Sequence, residues 1–215
     1  MELDPAALGQ ADTYKILIGC VVPRPIAWVS TVDAEGRANL APFSFFNAIG
    51  SNPPALSVAI TYTASPDRRK DTLRNILATG EFVVNIVSEE LADAMNRTAV
   101  DYPPDVDEFA VAGLTPARSA LVRPSRVAES PASFECRLFS SVPVGDGPGS
   151  ATLVIGTVAR IHLRDGLMDA RHRIDLRGLR PIGRLAGADY CYVRETFSMP
   201  RGRYNRETGE VEWPG

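Results

Sequence analysis

The amino-acid sequence predicts a mainly β fold: a closed or nearly closed antiparallel barrel with a few flanking helices. Three observations point there. Strand-like runs dominate the 215 residues and few convincing helices fall between them, whereas a doubly wound α/β domain alternates strand and helix throughout. The run Thr152–Leu163 alternates: Leu153, Ile155, Thr157, Ala159 and Ile161 point one way, Val154, Gly156, Val158, Arg160 and His162 the other. One side is continuously apolar or small and the reverse becomes polar towards its end, like a barrel wall that meets solvent or a partner. No repeat or interdomain linker interrupts the chain, and a closed sheet hides its edges without needing helices on both faces.

In order, residues 1–13 read as an arm or short helical lead, and Tyr14–Val22 is mostly apolar. Pro23 and Pro25 bracket Arg24 and exclude a mid-sheet position there, since proline donates nothing to a ladder. Ile26–Thr31 reads as a strand, Asp33–Gly36 as its turn, and Asn39–Asn47 as a second, bent strand. Asn52, Pro53 and Pro54 end that unit, and Ala55–Tyr62 is the next strand. The period then changes. Leu73, Ile76 and Leu77 fall at helical spacing within Asp71–Thr79; Asp71 is positioned to cap the start and Gly80 to end the helix in a left-handed conformation. Phe82–Val87 returns to strand, a short helix follows over Glu89–Arg97, and Asp101–Phe109 is loop-like. Ser133–Ser141 is a strand with Phe134, Cys136 and Leu138 on one side. Gly145–Gly149 (GDGPG) connects it to Thr152–Leu163, and Tyr190–Val193 is a last short strand. From Arg194 the chain turns polar, so residues 14–193 form the domain and 194–215 an extension that lies over the surface or a partner subunit.

Composition narrows the function. The formal charge of -3 leaves no excess positive field for a nucleic-acid backbone. No apolar run approaches the ~20 residues of a membrane-spanning helix, and the acidic start MELDPAALGQ lacks the form of a secretory signal. Cys20, Cys136 and Cys191 are odd in number and far apart, which fits core packing in a reducing, cytoplasmic setting.

The dinucleotide fingerprint GxGxxG and the phosphate loop GxxxxGK are missing. His162 and His172 are the only histidines and neither sits in a compact ligand motif. Nothing marks a nucleophile elbow. What is present is Arg68–Thr72 (RRKDT), three cations ahead of a helix start. A helix start is already positive, so such crowding is favourable when an anion docks: a phosphate accepts from Lys70, from Arg68 or Arg69, from the Thr72 hydroxyl and from first-turn amides. A solvated charged loop is the alternative. In Ala41–Asn47 (APFSFFN), Ser44 and Asn47 bracket Phe45 and Phe46, as a planar ligand with a polar edge requires, or as a core strand with two satisfied polar residues. Arg24–Thr31 (RPIAWVST) supplies a second wall or a core tryptophan, Trp28. Together the three segments describe a phosphorylated planar cofactor better than any one of them.

These residues resemble the flavin reductase-like, FMN-binding split-barrel family. The resemblance rests on RPIAWVSTVDAEGRANLAPFSFFNAIGSNPP (24–54) and KDTLRNILATGEFVVNI (70–86). Later stretches extend it: EFAVAGLTPARS (108–119), FECRLFS (134–140), IGTVARIHLRDG (155–166) and LRPIGRLAGADY (179–190). It implies an FMN-binding split β-barrel, antiparallel and Greek-key-like, with FMN near a homodimer interface. It places Ser30 and Thr31 beside the ring and ribityl chain. Ser44, Phe45, Phe46 and Asn47 lie against the isoalloxazine and ribityl groups, and Arg68, Lys70 and Thr72 at the phosphate. Arg184 and His162 approach the nicotinamide or complete the cleft. It implies hydride transfer from NADH or NADPH to flavin, with no catalytic acid, base or nucleophile and no metal. The reduced flavin then stays bound or passes to a monooxygenase partner. The alternative is a flavin- or haem-binding carrier or sensor, with His162 as an axial ligand.

Overall fold

The computed structural model describes residues 1–63 and 69–213. In chain order these form α1 (Gln10–Cys20), β1 (Ala27–Val32), β2 (Ala38–Phe43), β3 (Phe46–Ser51), β4 (Pro54–Thr61), α2 (Asp71–Thr79), β5 (Glu81–Ile86), α3 (Ala92–Arg97) and α4 (Glu108–Ala112). Then come β6 (Pro116–Ala117), β7 (Arg126–Val127), β8 (Ala132–Val144), β9 (Ala151–Leu163), α5 (Leu176–Leu179), β10 (Ile182–Arg184), β11 (Tyr190–Tyr192), β12 (Arg203–Tyr204) and β13 (Val211–Glu212).

Seven strands pair antiparallel in the order β2-β1-β5-β8-β9-β4-β3. The two edge strands, β2 and β3, are consecutive in the chain and separated by only Ser44 and Phe45. In a flat sheet those edges would lie ~29 Å apart at ~4.8 Å per strand; three Cα steps reach at most ~11 Å. The sheet must therefore roll up. At the corner the Ala59 amide of β4 donates to the Phe45 carbonyl at 2.8 Å, which carries the β3–β4 pairing up to the crossing.

Ala27, Val29, Val58, Ile60, Phe82, Val84, Cys136 and Val154 fill the barrel, and Leu73 and Ile76 of α2 pack into the same cluster. β1 is buried along its whole length because its other face carries Trp28 into a second cluster with Leu40, Met95 and Phe109. The Trp28 indole donates to Thr98 Oγ1 at 2.8 Å, so Trp28 is a core residue.

The helix Asp71–Thr79 and its left-handed Gly80 (φ 69°) form as expected. The cap differs: Lys70 occupies the N-cap position and no side chain caps the helix, because Asp71 is already helical and pairs with Arg74. The bent strand Asn39–Asn47 is two strands broken at Ser44–Phe45. On β9 the barrel interior receives Thr152, Val154 and Gly156, while Ile161 on the continuously apolar side is 53% exposed. The interior there is narrow, and Gly156 faces the Phe82 ring. Cys20 is exposed rather than in the core. Among the described residues no helix is long and apolar enough to cross a membrane.

Candidate functional site

A groove follows the end of β2, where the barrel seam opens. Its widest part, about 850 Å³, lies between α1 and the β2–β3 corner, with Tyr14 and Leu17 on one side and Phe43, Ser44, Phe45 and Tyr62 on the other. α1 buries only Ile18 and leaves Tyr14 and Leu17 about half exposed, so part of its apolar surface lines this slot. At one end the slot runs into a polar hollow of about 400 Å³ around Asn39, Lys70, Thr72, Asp101 and Tyr102; Pro42, Phe43 and Lys70 line both. At the other end a hollow of about 260 Å³ shares Tyr14, Pro42, Phe43 and Ser44 and reaches Arg24, Asn96 and Arg184.

The polar end is built on the start of α2, whose leading amides have no intrahelical acceptor. Lys70 Nζ stands 3.1 Å from Asp101. Thr72 is 1% exposed, and its hydroxyl accepts from Asn39 Nδ2 at 2.9 Å, which leaves its own proton to donate. The acids nearby do not add up to a repulsive field. Asp71 is paired with Arg74 and Asp101 with Lys70. Burial pushes the Glu108 carboxyl up, towards its neutral form.

Arg24 organises the opposite end. It is 5% exposed and donates through Nη1 to the carbonyls of Ile18 and Val21, each at 2.8 Å. Nη2 donates to Leu185 O at 2.8 Å and Nε to Ser44 Oγ at 3.3 Å. One guanidinium therefore ties the C-terminal end of α1, the seam and the β10–β11 hairpin together. Burial lowers its pKa, and neighbouring Arg184 lowers it further. No carboxylate pairs with it among the described residues.

Of the residues singled out from sequence, the structure brings Ser44, Phe45, Lys70 and Thr72 to this groove. Ser30 and Thr31 are adjacent on a strand and point to opposite faces. Both are 1% exposed: Ser30 donates to Ser125 O, Thr31 accepts from Asn75, and neither lines the groove. Phe46 packs on the barrel core, and Asn47 is exposed with its Oδ1 turned back to the Ala48 amide. Arg68 lies outside the described residues. Arg184 stacks over Tyr190 with its guanidinium carbon 4.4 Å from the ring centroid and reaches the small hollow. His162 lies elsewhere, with Nε2 2.5 Å from the buried Glu135. Sequence reasoning missed Tyr14, Leu17, Asn39 and Tyr62, and offered Arg24 only as the first residue of a wall segment. The available signals were the apolar run before Val22 and a lone arginine held between two prolines.

A family profile described as flavin reductase like domain matches residues 18–178. The chain belongs to the flavin reductase-like family. Its barrel is the split barrel of those proteins. The flavin reductase-like chain is similar to nitrilotriacetate monooxygenase component B from Bacillus cereus, at 39% identity and a TM-score of 0.88 over 93% of this chain and 98% of that one. It is also similar to 2-nitrobenzoate 2-nitroreductase NbaA from Pseudomonas fluorescens, at 30% identity and a TM-score of 0.81 over 93% and 96% of the two chains. An uncharacterized protein of Aquifex aeolicus is 44% identical over 177 residues, 82% of this chain and 88% of that one. The family and these neighbours make the chain an oxidoreductase of flavin type.

Proposed function

We propose that this flavin reductase-like chain holds FMN in the groove and reduces flavin with a hydride from NADH or NADPH. One observation carries the reading: the groove joins a helix start with Lys70 and Thr72 to an apolar, aromatic slot, and Lys70 lines both parts. A phosphorylated flat ring needs that combination in that order. The residues fit FMN by chemistry. Lys70, the Thr72 hydroxyl and the leading amides of α2 would take the phosphate; Tyr14, Leu17, Phe43 and Phe45 would enclose the ring; Ser44 supplies a polar edge.

Bound FMN supplies the electron-accepting ring, and the protein's part is placement. Tyr14 and Leu17 exclude water from one side of the slot, and the β2–β3 corner fixes the other. The lobe holding Arg24, Asn96 and Arg184 leaves room beside the ring for a nicotinamide. Arg24 and Arg184 add positive charge there, which favours electron density arriving in the slot. No side chain is asked to move a proton in the hydride step, in keeping with a groove walled by apolar residues and fixed cations. Reduced flavin then serves an acceptor such as a monooxygenase partner; the Bacillus cereus neighbour is by name a component of a monooxygenase. The carrier reading with haem on His162 draws no support from the groove, since the imidazole lies off it with Nε2 against Glu135.

Anaerobic mixing with NADH and with NADPH tests the proposal. Bleaching of the bound flavin absorbance by either nucleotide is the expected result, and ultrafiltration then shows whether reduced FMN leaves. A protein that binds no FMN, or binds it and is bleached by neither nucleotide, refutes the reading.

A further inference from the structure

Two arginines stand directly opposite each other beside the slot. Arg24 and Arg184 are partners on an isolated antiparallel bridge, each amide donating to the other's carbonyl at 2.9 Å. Like charges directly opposite on paired backbones are destabilising, and the more so where one of them, Arg24, is buried. Neither arginine has an ion-pair partner among the described residues. An anion arriving between them would relieve that cost.

Donors are left over for it. A guanidinium carries five N–H groups. In Arg24 four are engaged, two at Nη1, one at Nη2 and one at Nε, so one Nη2 hydrogen has no acceptor among the described residues. Arg184 gives one N–H to the Gly187 carbonyl and lies over the Tyr190 ring; its other N–H groups have no acceptor among the described residues. Ser44 Oγ accepts from Arg24 and keeps its own proton to donate.

Both arginines and Ser44 border the hollow of about 260 Å³ at this end of the slot, and none of its lining residues is acidic. The remaining wall is largely apolar, with Ile26, Phe43 and Met95, and the exposed Asn96 stands on its edge. A bare inorganic ion gains nothing from apolar walls. A carboxylate on one flat ring matches both halves: the ring meets the apolar wall, and the planar carboxylate meets the forked guanidinium donors. The hollow is smaller than the ~300–1,000 Å³ of a drug-sized site, so it suits one ring and not a whole nucleotide.

We propose that this lobe is a binding site for a small aromatic carboxylate, held by the spare Arg24 Nη2 hydrogen and by Arg184, and that the acid takes the place of the nicotinamide. The site itself is independent of flavin reduction; its competition with the nucleotide rests on the reading that the nicotinamide enters the lobe. One ring at a time fits, so the acid slows nucleotide oxidation by exclusion.

Calorimetric titration of the full chain in saturating FMN, with benzoate and with its neutral isostere benzamide, tests the site. Benzoate should bind roughly tenfold more tightly, the difference between charged and neutral hydrogen bonds. Asn96→Asp puts a like charge on the edge of the hollow and should remove most of that preference, as should Arg184→Leu, whereas Arg184→Lys should keep part of it. In steady state benzoate should raise the nucleotide KM and leave kcat. No binding of benzoate overturns the proposal, as does equal binding of the two ligands or a preference that survives both Asn96→Asp and Arg184→Leu. So does inorganic pyrophosphate binding more tightly than benzoate and losing its hold in Arg184→Leu, which would give the arginines to the nucleotide's own phosphates. If Arg184→Leu does not fold, the exposed substitution Asn96→Asp decides. A benzoate effect on kcat alone overturns the competition. Flavin that neither nucleotide bleaches, in a protein that still prefers benzoate, refutes the reductase reading and upholds the site.

Discussion

Replacing Lys70 by alanine should separate FMN from riboflavin. The Lys70 ammonium is 31% exposed and stands 3.1 Å from Asp101, itself 80% exposed. A phosphate entering beside it must take over that ammonium, so the exposed pair, worth roughly 0.2–1 kcal/mol, is given up on binding. A charge-assisted contact contributes about 1.5–3 kcal/mol. The difference leaves about 0.5–2.8 kcal/mol for Lys70, a loss of roughly 2- to 110-fold in FMN affinity. Riboflavin presents no phosphate and should bind the variant within about twofold of the native protein, by the same arithmetic. Asp101→Asn removes the competing anion and should tighten FMN by up to about fivefold. Flavin fluorescence titrations at several salt concentrations measure all three. Equal losses for FMN and riboflavin, or a weaker FMN complex in Asp101→Asn, would show that the phosphate does not sit where the two cavities meet at Lys70.

Three further expectations follow from the barrel and its surroundings. In Gly156→Ala the new Cβ would lie 2.8 Å from Phe82 Cε1 and 3.2 Å from Cys136 Cβ, so a cost of about 1–3 kcal/mol should appear as a lower urea midpoint. Glu135→Ala removes the buried acceptor of the Ala120 and Leu121 amides at 2.7 and 2.6 Å. It should cost about 1–3 kcal/mol per orphaned amide and speed hydrogen exchange at those two positions. Glu89 is held down at about 2 from an ordinary 4.5, through hydrogen bonds from Arg194 and Arg180. The stability that it lends the root of the C-terminal extension is therefore complete above pH 4.5 and lost as pH falls towards 2. Proteolysis of the extension should rise across that window and not above it.

Strand positions were readable from the sequence because alternation is a local property. The helix Asp71–Thr79 was readable because its apolar spacing and terminal glycine are local too. Closure was harder to read. A run like Asn39–Asn47 looks like one bent strand unless it is known that its halves are opposite edges of one sheet, and that depends on β5, β8 and β9 far along the chain. The cationic helix start was legible in RRKDT, since charge crowding there has a local cost, and the structure puts Lys70 and Thr72 of that run on the polar hollow. The apolar slot was half legible: Ser44 and Phe45 stand out, but Tyr14 and Leu17 become its second wall only when α1 folds across the seam. Ser30 and Thr31 show the limit from the other side. Their polarity marks a need for hydrogen bonds, and Ser125, Asn85 and Asn75 meet it inside the protein.

The groove's location follows from how this sheet closes. An ideal barrel pairs every strand on both sides and leaves no backbone group for a ligand. Here the chain passes from one edge to the other through Ser44 and Phe45, and a residue making that crossing cannot pair fully with both neighbours. The seam is thus a break in an otherwise satisfied wall, and buried polar groups at a break need partners. Arg24 supplies one from inside through Ser44, and the Ala59 amide supplies another to Phe45. What remains is a polar-edged apolar slit, roofed by a helix that the same arginine holds in place. Loop variation can change the acceptor served at such a slit while the strand order keeps the slit itself. On this reasoning a single fold sits behind relatives whose names point to a monooxygenase component and to a nitroreductase.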